Sequence, residues 1–470
     1  MKLALALLVS GGAVAAQAAP SPAVPRQLDD AQRAAYRAVF TAIHAEKWAD
    51  ARLLLAAMPP GPLHAVARAE LLTAKNTPRA DVGELTQVLT DAPELPQAEQ
   101  IARIAKSRGA VDLPPLPAVQ QLTWVSGAPI RARAKPTKSD AAATELALRM
   151  QPLVKEDRGE EAQALLDANA ALLSPEALSE WQQKVAFIYY VSGNDTAARA
   201  LAARSAEGVG EWAVHGRWTL ALAAWRQKDC AAAGAAFDGV AARSSDTELR
   251  AAGLYWAARA DLACGQPERI EARLKNAAQL DETFYGLLAR QALAIKDPKV
   301  VVETPGAAAW QQLAQRPNAR VAAALAEIDE DTLADEVVRQ QARIGAPTEF
   351  GALTRLAGDL GLPGTQVWLS NNVPAGTRPT QLARYPAPAW TPDGGWRVDK
   401  ALVYAHTLQE SKFRASVISP AGAYGLMQIM PAAATDFTRA SGRTIDRTAL
   451  SRPSTNIEIG QTHLERLRDA

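Results

Sequence analysis

From Leu28 to about Asn371, apolar residues recur at spacings of three and four, and short polar joints separate the apolar segments. One segment, EWAVHGRWTLALAAWRQKD, places Trp212, Trp218, Leu222 and Trp225 on this repeat. Large aromatic residues alternate with small ones, as is typical where helices approach closely. The pattern predicts paired helices stacked as an α-solenoid that can close into a ring. We expect the aromatic residues to form its core rather than a cofactor site.

Two Pro-rich stretches interrupt the helical pattern. Residues 112–139 are also basic and are typical of a linker or a long exposed loop. Residues 371–396 have no helical period and precede a C-terminal segment of different character. We therefore expect a helical superhelix over 19–371, a linker over 372–396 and a separate domain over 397–470.

The N-terminus has the three parts of a secretory signal. Lys2 precedes an apolar run from Leu3 to Ala16, and Ala16-Gln17-Ala18 is an A-x-A cleavage site. We expect residues 1–18 to be removed on export; an uncleaved helix lying on the membrane is the alternative. No later stretch reaches 18 consecutive apolar residues, so no integral membrane segment is expected after signal removal.

The chain has two cysteines, Cys230 and Cys264, in neighbouring helical segments. Export to an oxidising compartment permits a disulfide between them, provided that the two helices are adjacent. Two buried free thiols are the alternative. Gly265, directly after the second cysteine, fits the C-terminal end of a helix.

Charge and motifs exclude several functions. The chain has 51 Lys and Arg against 50 Asp and Glu, which argues against nucleic acid or an anionic membrane as partner. No phosphate-binding loop, nucleophile elbow or dinucleotide fingerprint is present. His406 lies four residues before Glu410, but two ligands without a third do not indicate a metal site. We expect no metal and no cofactor.

The C-terminal segment contains one strong candidate for acid chemistry. A helix is predicted to begin near Val398-Asp399 and to carry Glu410 close to its C-terminal end. Apolar residues follow at Leu426 and Met427 and beyond, and we expect them to pack around this carboxyl. Burial among apolar groups raises the pKa of a carboxyl and keeps it protonated, as a general acid requires. Without this context, a single glutamate is usually a solvated surface residue.

The sequence from Glu410 to Pro431, ESKFRASVISPAGAYGLMQIMP, resembles the signature of the lytic transglycosylases. Fourteen positions agree with it: Glu410, Ser411, Phe413, Ser419, Gly422, Ala423, Gly425, Leu426, Met427, Gln428, Met430, Pro431, Ala434 and Asn456. The helical segments after about residue 210 also resemble the soluble lytic transglycosylases of the bacterial periplasm, which form family 1. The resemblance implies an all-α protein, with a superhelix followed by a lysozyme-like catalytic domain.

The resemblance also implies an activity and roles for particular residues. It implies a carbon-oxygen lyase that cleaves the β-1,4 bond between N-acetylmuramic acid and N-acetylglucosamine and leaves 1,6-anhydromuramic ends. Glu410 is then the single general acid and base, and Ser411 positions it. Ser419, Gln428 and Met430 line the sugar site. We expect a periplasmic monomer whose partners are peptidoglycan glycan strands.

The sequence also departs from the family. Ala433 stands where Thr is usual, and His463 stands where the second motif, which begins at Asn456, usually has Tyr. The chain ends at Ala470, before the family's A-Y-N-A-G segment, so we expect a truncated catalytic domain. Two alternatives therefore stay open: a non-catalytic solenoid that binds or scaffolds peptidoglycan, and an enzyme that uses water as its nucleophile.

Overall fold

The computed structural model describes residues 23–125, 127–138, 140–296, 306–377, 379, 381–442 and 445–470. The signal peptide expected over 1–18 lies outside these residues. The chain divides into two compact units. We call the described residues from 127 to 296 the central unit, and those before 126 and after 305 the terminal unit. The all-α prediction is confirmed, since helices dominate both units.

The solenoid elements follow one another with short joints, as the periodicity predicts. The terminal unit begins with α1 (Asp30–His44), α2 (Trp48–Ala56), α3 (His64–Thr73), α4 (Val82–Asp91), α5 (Ala98–Ser107) and β1 (Leu122–Trp124). The central unit contains α6 (Ala141–Lys155), α7 (Gly159–Asn169), α8 (Pro175–Val191), α9 (Asp195–Glu207), α10 (Gly210–Arg226), α11 (Cys230–Arg243), α12 (Thr247–Ala263), α13 (Pro267–Ala278) and α14 (Phe284–Ala292). The terminal unit resumes with α15 (Gly306–Leu313), α16 (Pro317–Ala326), α17 (Asp331–Ile344), α18 (Phe350–Asp359), α19 (Pro363–Asn371) and β2 (Asn372–Pro374). Short 3₁₀ turns follow α7 at Ala170–Leu172 and precede α18 at Pro347–Glu349.

Helices far apart in sequence share one core in the terminal unit. Buried residues of α1–α5, such as Tyr36 and Phe40, belong to the same apolar cluster as Leu325 and Val337 of α16 and α17. β1 and β2 pair antiparallel, with Thr123 opposite Val373. The first and last solenoid helices are therefore held in one unit by apolar packing and a short two-stranded sheet.

The central unit is a run of sequentially packed helices with an aromatic core. Trp218 of α10 packs edge-on against Phe237 of α11, with ring centroids 5.4 Å apart, and Phe237 stacks on Trp256 of α12 at 5.9 Å. The sequence-based assignment of the aromatic residues to the solenoid core is confirmed for these helices. Cys230 at the start of α11 and Cys264 after α12 form a disulfide, with Cα atoms 5.6 Å apart.

Helix ends in the central unit follow ordinary capping chemistry. The Asp246 carboxylate accepts a hydrogen bond from Leu249 N–H at 2.7 Å and thereby caps α12. Gly265 has φ +69°, so it adopts the left-handed backbone that terminates this helix, as the sequence predicts.

The remaining elements form the C-terminal part of the terminal unit. They are α20 (Gln381–Arg384), α21 (Lys400–Ser411), α22 (Pro431–Ser441), a 3₁₀ turn at Ala449–Ser451 and α23 (Pro453–Asp469). Within the described residues of the whole chain, no helix is both long enough and apolar enough to cross a membrane.

Candidate active site

Glu410 occupies the last turn of α21, as the sequence predicts. Asp399 caps the start of the helix, and its carboxylate accepts a hydrogen bond from Ala401 N–H at 2.8 Å. Glu410 is exposed, and its side chain forms no hydrogen bond or ion pair with any other residue that the structure describes. The expected apolar burial of its carboxyl is therefore wrong. Leu426 packs instead in a core with Val403 and Ile457.

The chain reverses direction directly after Glu410. Ser411 is 1% exposed, and its hydroxyl donates to Thr407 O at 3.1 Å. Lys412 and Phe413 then have φ values of 52° and 60°, which is the left-handed region that side chains disfavour. Phe413 packs against Trp390, with ring centroids 6.2 Å apart. The buried ring and the Ser411 hydroxyl thus fix the turn and leave the Glu410 carboxylate in solvent.

Ser419 lies at the start of a tight loop that its own hydrogen bonds close. Its backbone N–H donates to Ala423 O at 2.9 Å, and its side-chain oxygen accepts from Ala423 N–H at 3.0 Å. Gly422 has φ +82°, a conformation that only glycine adopts without strain. The Ser419 hydroxyl accepts in this loop, so its proton stays free to donate.

Gln428 and Met430 lie at the end of the same segment. Gln428 has φ 47°, and its amide nitrogen donates to Gly425 O at 2.8 Å. Met430 is 44% exposed and directly precedes α22. The resemblance assigned both residues to the sugar site, but they differ in what they offer. The amide nitrogen of Gln428 is engaged by the backbone and its amide oxygen is not, whereas Met430 exposes an apolar side chain.

Asn456 fastens this loop to α23 and is fully buried. Its side-chain oxygen accepts from Met427 N–H at 2.8 Å, and its amide nitrogen donates to Tyr424 O and Leu450 O at 2.9 and 2.8 Å. A Cβ on Gly425 would lie 2.5 Å from that amide nitrogen. Asn456 and Gly425 belong to the sequence motif, and both serve to hold the backbone of this loop against α23.

Residues 392–470 match the family model described as the Transglycosylase SLT domain. This match covers the helix that carries Glu410, the loop after it and α23. The segment belongs to the transglycosylase SLT domain family. The SLT domain thus begins close to the boundary at which the sequence pattern changes.

Two solved structures resemble most of the chain at low sequence identity. A lytic transglycosylase, Slt, from Pseudomonas aeruginosa, solved as an inactive mutant, shares 17% identity with a TM-score of 0.50, over 86% of this chain and 68% of that chain. The 70 kDa soluble lytic transglycosylase from Escherichia coli shares 17% identity with a TM-score of 0.49, over 93% of this chain and 86% of that chain. At such identity the Pseudomonas structure speaks for the fold alone. No curated protein matches the sequence.

An ion-pair cluster that sequence reasoning missed anchors α23 in the SLT domain. The Arg397 guanidinium donates to Glu458 at 2.8 Å and to Glu465 at 2.9 Å. Glu458 is 5% exposed and also accepts from Gly394 N–H, and Gln461 accepts from Arg397 N–H at 3.1 Å. Burial opposes the charge on Arg397, yet the two glutamates raise the pKa of its guanidinium. The spacing of Glu458, Gln461 and Glu465 puts them on one helix face, so the sequence could have indicated a shared partner for these side chains.

Glu410 differs from every other carboxylate that the structure describes in the SLT domain. The other seven each have a hydrogen-bond or ion-pair partner: Asp393, Asp399, Asp436, Asp446, Glu458, Glu465 and Asp469. A carboxylate without a partner remains available to a ligand. Among its described residues, the domain therefore offers one free side-chain carboxylate, at the position that the sequence motif indicates.

The SLT domain contains two histidines, His406 and His463. His406 is half-buried on α21, and His463 is exposed on α23. Among the residues that the structure describes, no group of three or more His, Cys, Asp or Glu side chains could hold a metal ion.

Proposed function

We propose that the chain is a lytic transglycosylase of peptidoglycan. It cleaves the β-1,4 bond between N-acetylmuramic acid and N-acetylglucosamine and leaves a 1,6-anhydromuramic end. The observation that carries this proposal is that Glu410 stands as the free carboxylate of the described SLT domain, exposed at a helix end. A long polymer can reach such a group directly.

One carboxylate is enough for this chemistry if the substrate provides the nucleophile. Glu410 first protonates the glycosidic oxygen that leaves toward N-acetylglucosamine. The N-acetyl group of the muramic residue attacks its own C1, which gives an oxazolinium ion. Glu410 then removes the proton of the C6 hydroxyl, and that oxygen closes onto C1 and reopens the oxazolinium. Water is not consumed, and the intramolecular closure benefits from a high effective concentration.

The geometry of α21 supports a single-carboxylate mechanism. Two-carboxylate glycosidases place their acids about 5 to 9.5 Å apart. Asp399 lies at the opposite end of α21, about 16 Å away along the axis at 1.5 Å per residue. Asp436, the next acid in sequence, is exposed on α22 and pairs with Arg439.

The remaining motif residues have complementary roles in this proposal. Ser411 fixes the last turn of α21 through its bond to Thr407 and so positions Glu410. The Ser419 hydroxyl proton and the Gln428 carbonyl oxygen are free to bind sugar hydroxyl and acetamido groups. Met430 offers an apolar surface to a pyranose ring.

The cellular setting follows from the same proposal. The signal-like N-terminus supports export to the periplasm, where peptidoglycan glycan strands are the partner. The protein acts as a monomer and requires no cofactor.

The test is product analysis by mass spectrometry after incubation of the chain with purified sacculi. Anhydro-muropeptides are expected from the unmodified chain and from Asp436→Asn, an exposed carboxylate control in the same domain. They should be absent with Glu410→Gln. Products with reducing ends would show that water is the nucleophile. If Glu410→Gln released anhydro-muropeptides as fast as the unmodified chain does, Glu410 would have no part in the mechanism.

A non-catalytic, peptidoglycan-binding solenoid is the second candidate. One observation favours it: Glu410 is exposed at the end of α21 rather than enclosed in an apolar pocket of the kind that suits a general acid. Co-sedimentation with sacculi, measured on the same samples, separates the two candidates. Binding without any released product, equal for the unmodified chain and Glu410→Gln, would favour the binder.

A further inference from the structure

Two arginines of the central unit converge on one glycine. Arg217 projects from α10 and Arg243 from the end of α11, and both approach Gly239. A Cβ at Gly239 would lie 3.1 Å from Arg217 Cδ and 3.8 Å from an Nη1 atom of each arginine. Because both Nη1 atoms lie 3.8 Å from the same point, they are at most twice that distance apart. Gly239 leaves the space into which the two guanidinium groups reach.

This pair lacks the acidic partner that neighbouring arginines have. Arg199 and Arg226 form ion pairs with aspartates in the same unit. The side chains of Arg217 and Arg243 form no ion pair or hydrogen bond with any residue in the described part of the chain, and Arg217 Nε is buried without a partner. Two cations side by side repel each other, and a buried donor without an acceptor costs free energy.

Burial and charge act in the same direction on Arg217. Burial lowers the pKa of its guanidinium first, and the charge of Arg243 lowers it further. Glu207 opposes this effect only from beyond ion-pair distance. An anion between the two guanidinium groups would pair with both and remove their repulsion.

We propose that Arg217 and Arg243 form a binding site for an oxyanion, either a carboxylate or a phosphate group. Guanidinium groups bind both through paired N–H donors. The site lies in the central unit, outside the SLT domain, and does not depend on the function proposed for Glu410.

Space for a ligand lies beside Arg243. This arginine borders a cavity of about 140 Å³ that is also lined by Ser244, Ser245 and His215. Asp246 borders it as well, but its carboxylate oxygens accept from Leu249 N–H and Ala132 N–H at 2.7 and 2.8 Å. Burial, followed by the charge of Arg131, lowers the pKa of the His215 imidazole, so this ring is neutral at pH 7. Glu211, also at the rim, disfavours ligands with high negative charge.

Titration calorimetry at constant ionic strength tests the site, with N-acetyl-D-alanine as the carboxylate probe and inorganic phosphate as the second. We expect saturable binding of at least one probe by the full chain, and the tighter probe identifies the ligand chemistry. Arg243→Met should weaken binding at least about tenfold, because a charged hydrogen bond contributes about 1.5 to 3 kcal/mol. Arg250→Met, which removes an exposed arginine of α12, is the control and should bind as the unmodified chain does.

Melting without either anion gives a second readout that a merely structural role would not produce. Arg243→Met should melt at or above the temperature of the unmodified chain, because the substitution removes a repulsive charge. Added anion should then raise the melting temperature of the unmodified chain only. No saturable binding of either probe up to about 20 mM, a concentration that detects millimolar affinity, would overturn the proposal. A lower melting temperature of the anion-free variant would also overturn it.

Discussion

The side-chain oxygen of Asn456 accepts a hydrogen bond from the backbone N–H of Met427 at 2.8 Å. The amide nitrogen of Asn456 donates to two further carbonyl groups, so the buried side chain connects α23 to the loop that follows Glu410. Asn456 and Glu410 belong to the same sequence signature, yet only Glu410 is accessible to a substrate.

Asn456→Asp is expected to destabilise the SLT domain by at least about 3 kcal/mol at pH 7, because it buries a charge that faces two carbonyl oxygens. Chemical denaturation followed by circular dichroism measures the loss. Arg466→Met, an exposed substitution on the same helix, is the control and should change stability by less than about 0.5 kcal/mol. An Asn456→Asp chain as stable as the control would mean that these hydrogen bonds contribute little.

Gly460 allows α23 to pack against Met427. A Cβ at Gly460 would overlap the Met427 sulfur, so Gly460→Ala forces the methionine to move. We expect Gly460→Ala to destabilise the domain by about 1 to 3 kcal/mol through overpacking, despite the better helix propensity of alanine.

A double-mutant cycle identifies the cause of this loss. In a Met427→Ala background, Gly460→Ala should be neutral or stabilising, because the clash is gone. Equal losses in both backgrounds, measured by denaturant unfolding, would contradict steric conflict with Met427.

The helices were predictable from sequence because the residues that determine them lie within each segment. Apolar periodicity and the polar caps place α10, α12 and α21 within a few residues of their observed ends. The position of Glu410 near the end of α21 follows from the same pattern.

Long-range pairing was not predictable in this way. β1 comes from the basic, Pro-rich stretch and β2 from the predicted linker, and their partners are about 250 residues apart in sequence. Short strands without alternation carry no local signal of a distant partner. The prediction that Glu410 is buried was wrong for a related reason. Leu426 is apolar, but it packs against Val403 and Ile457 instead of the Glu410 carboxyl.

The disulfide between Cys230 and Cys264 is expected to stabilise the central unit. The bond spans a sequence separation of 34 residues. Loop-closure entropy for a loop of this length corresponds to about 4 kcal/mol at 25 °C. The double variant Cys230→Ser, Cys264→Ser should lose up to this amount in urea unfolding. Reaction of both thiols with a thiol reagent in the native, unreduced chain would contradict the bond.

Ionisation of Glu70, in the terminal unit, is expected to affect the stability of the fold. It accepts a hydrogen bond from Gln97 Nε2 at 2.6 Å. Burial raises the pKa of the Glu70 carboxyl above its usual 4.5, and the nearby Glu336 and Glu330 add to the rise, while Gln97 and His44 oppose it. The ionised carboxylate therefore destabilises the fold, most strongly above the raised pKa, and this effect disappears below 4.5.

Glu70→Gln is accordingly expected to raise the melting temperature at pH 7, and the gain should shrink as the pH falls through the raised pKa toward 4.5. The glutamine amide at position 70 can also donate to Gln97 Oε1, which is buried without a partner in the described structure. Thermal unfolding between pH 4.5 and 8 measures the difference, with the exposed Glu99→Gln on α5 as control. A variant that is less stable than the unmodified chain at pH 7, or a gain that grows as the pH falls, would show that ionised Glu70 stabilises the fold through Gln97 and His44.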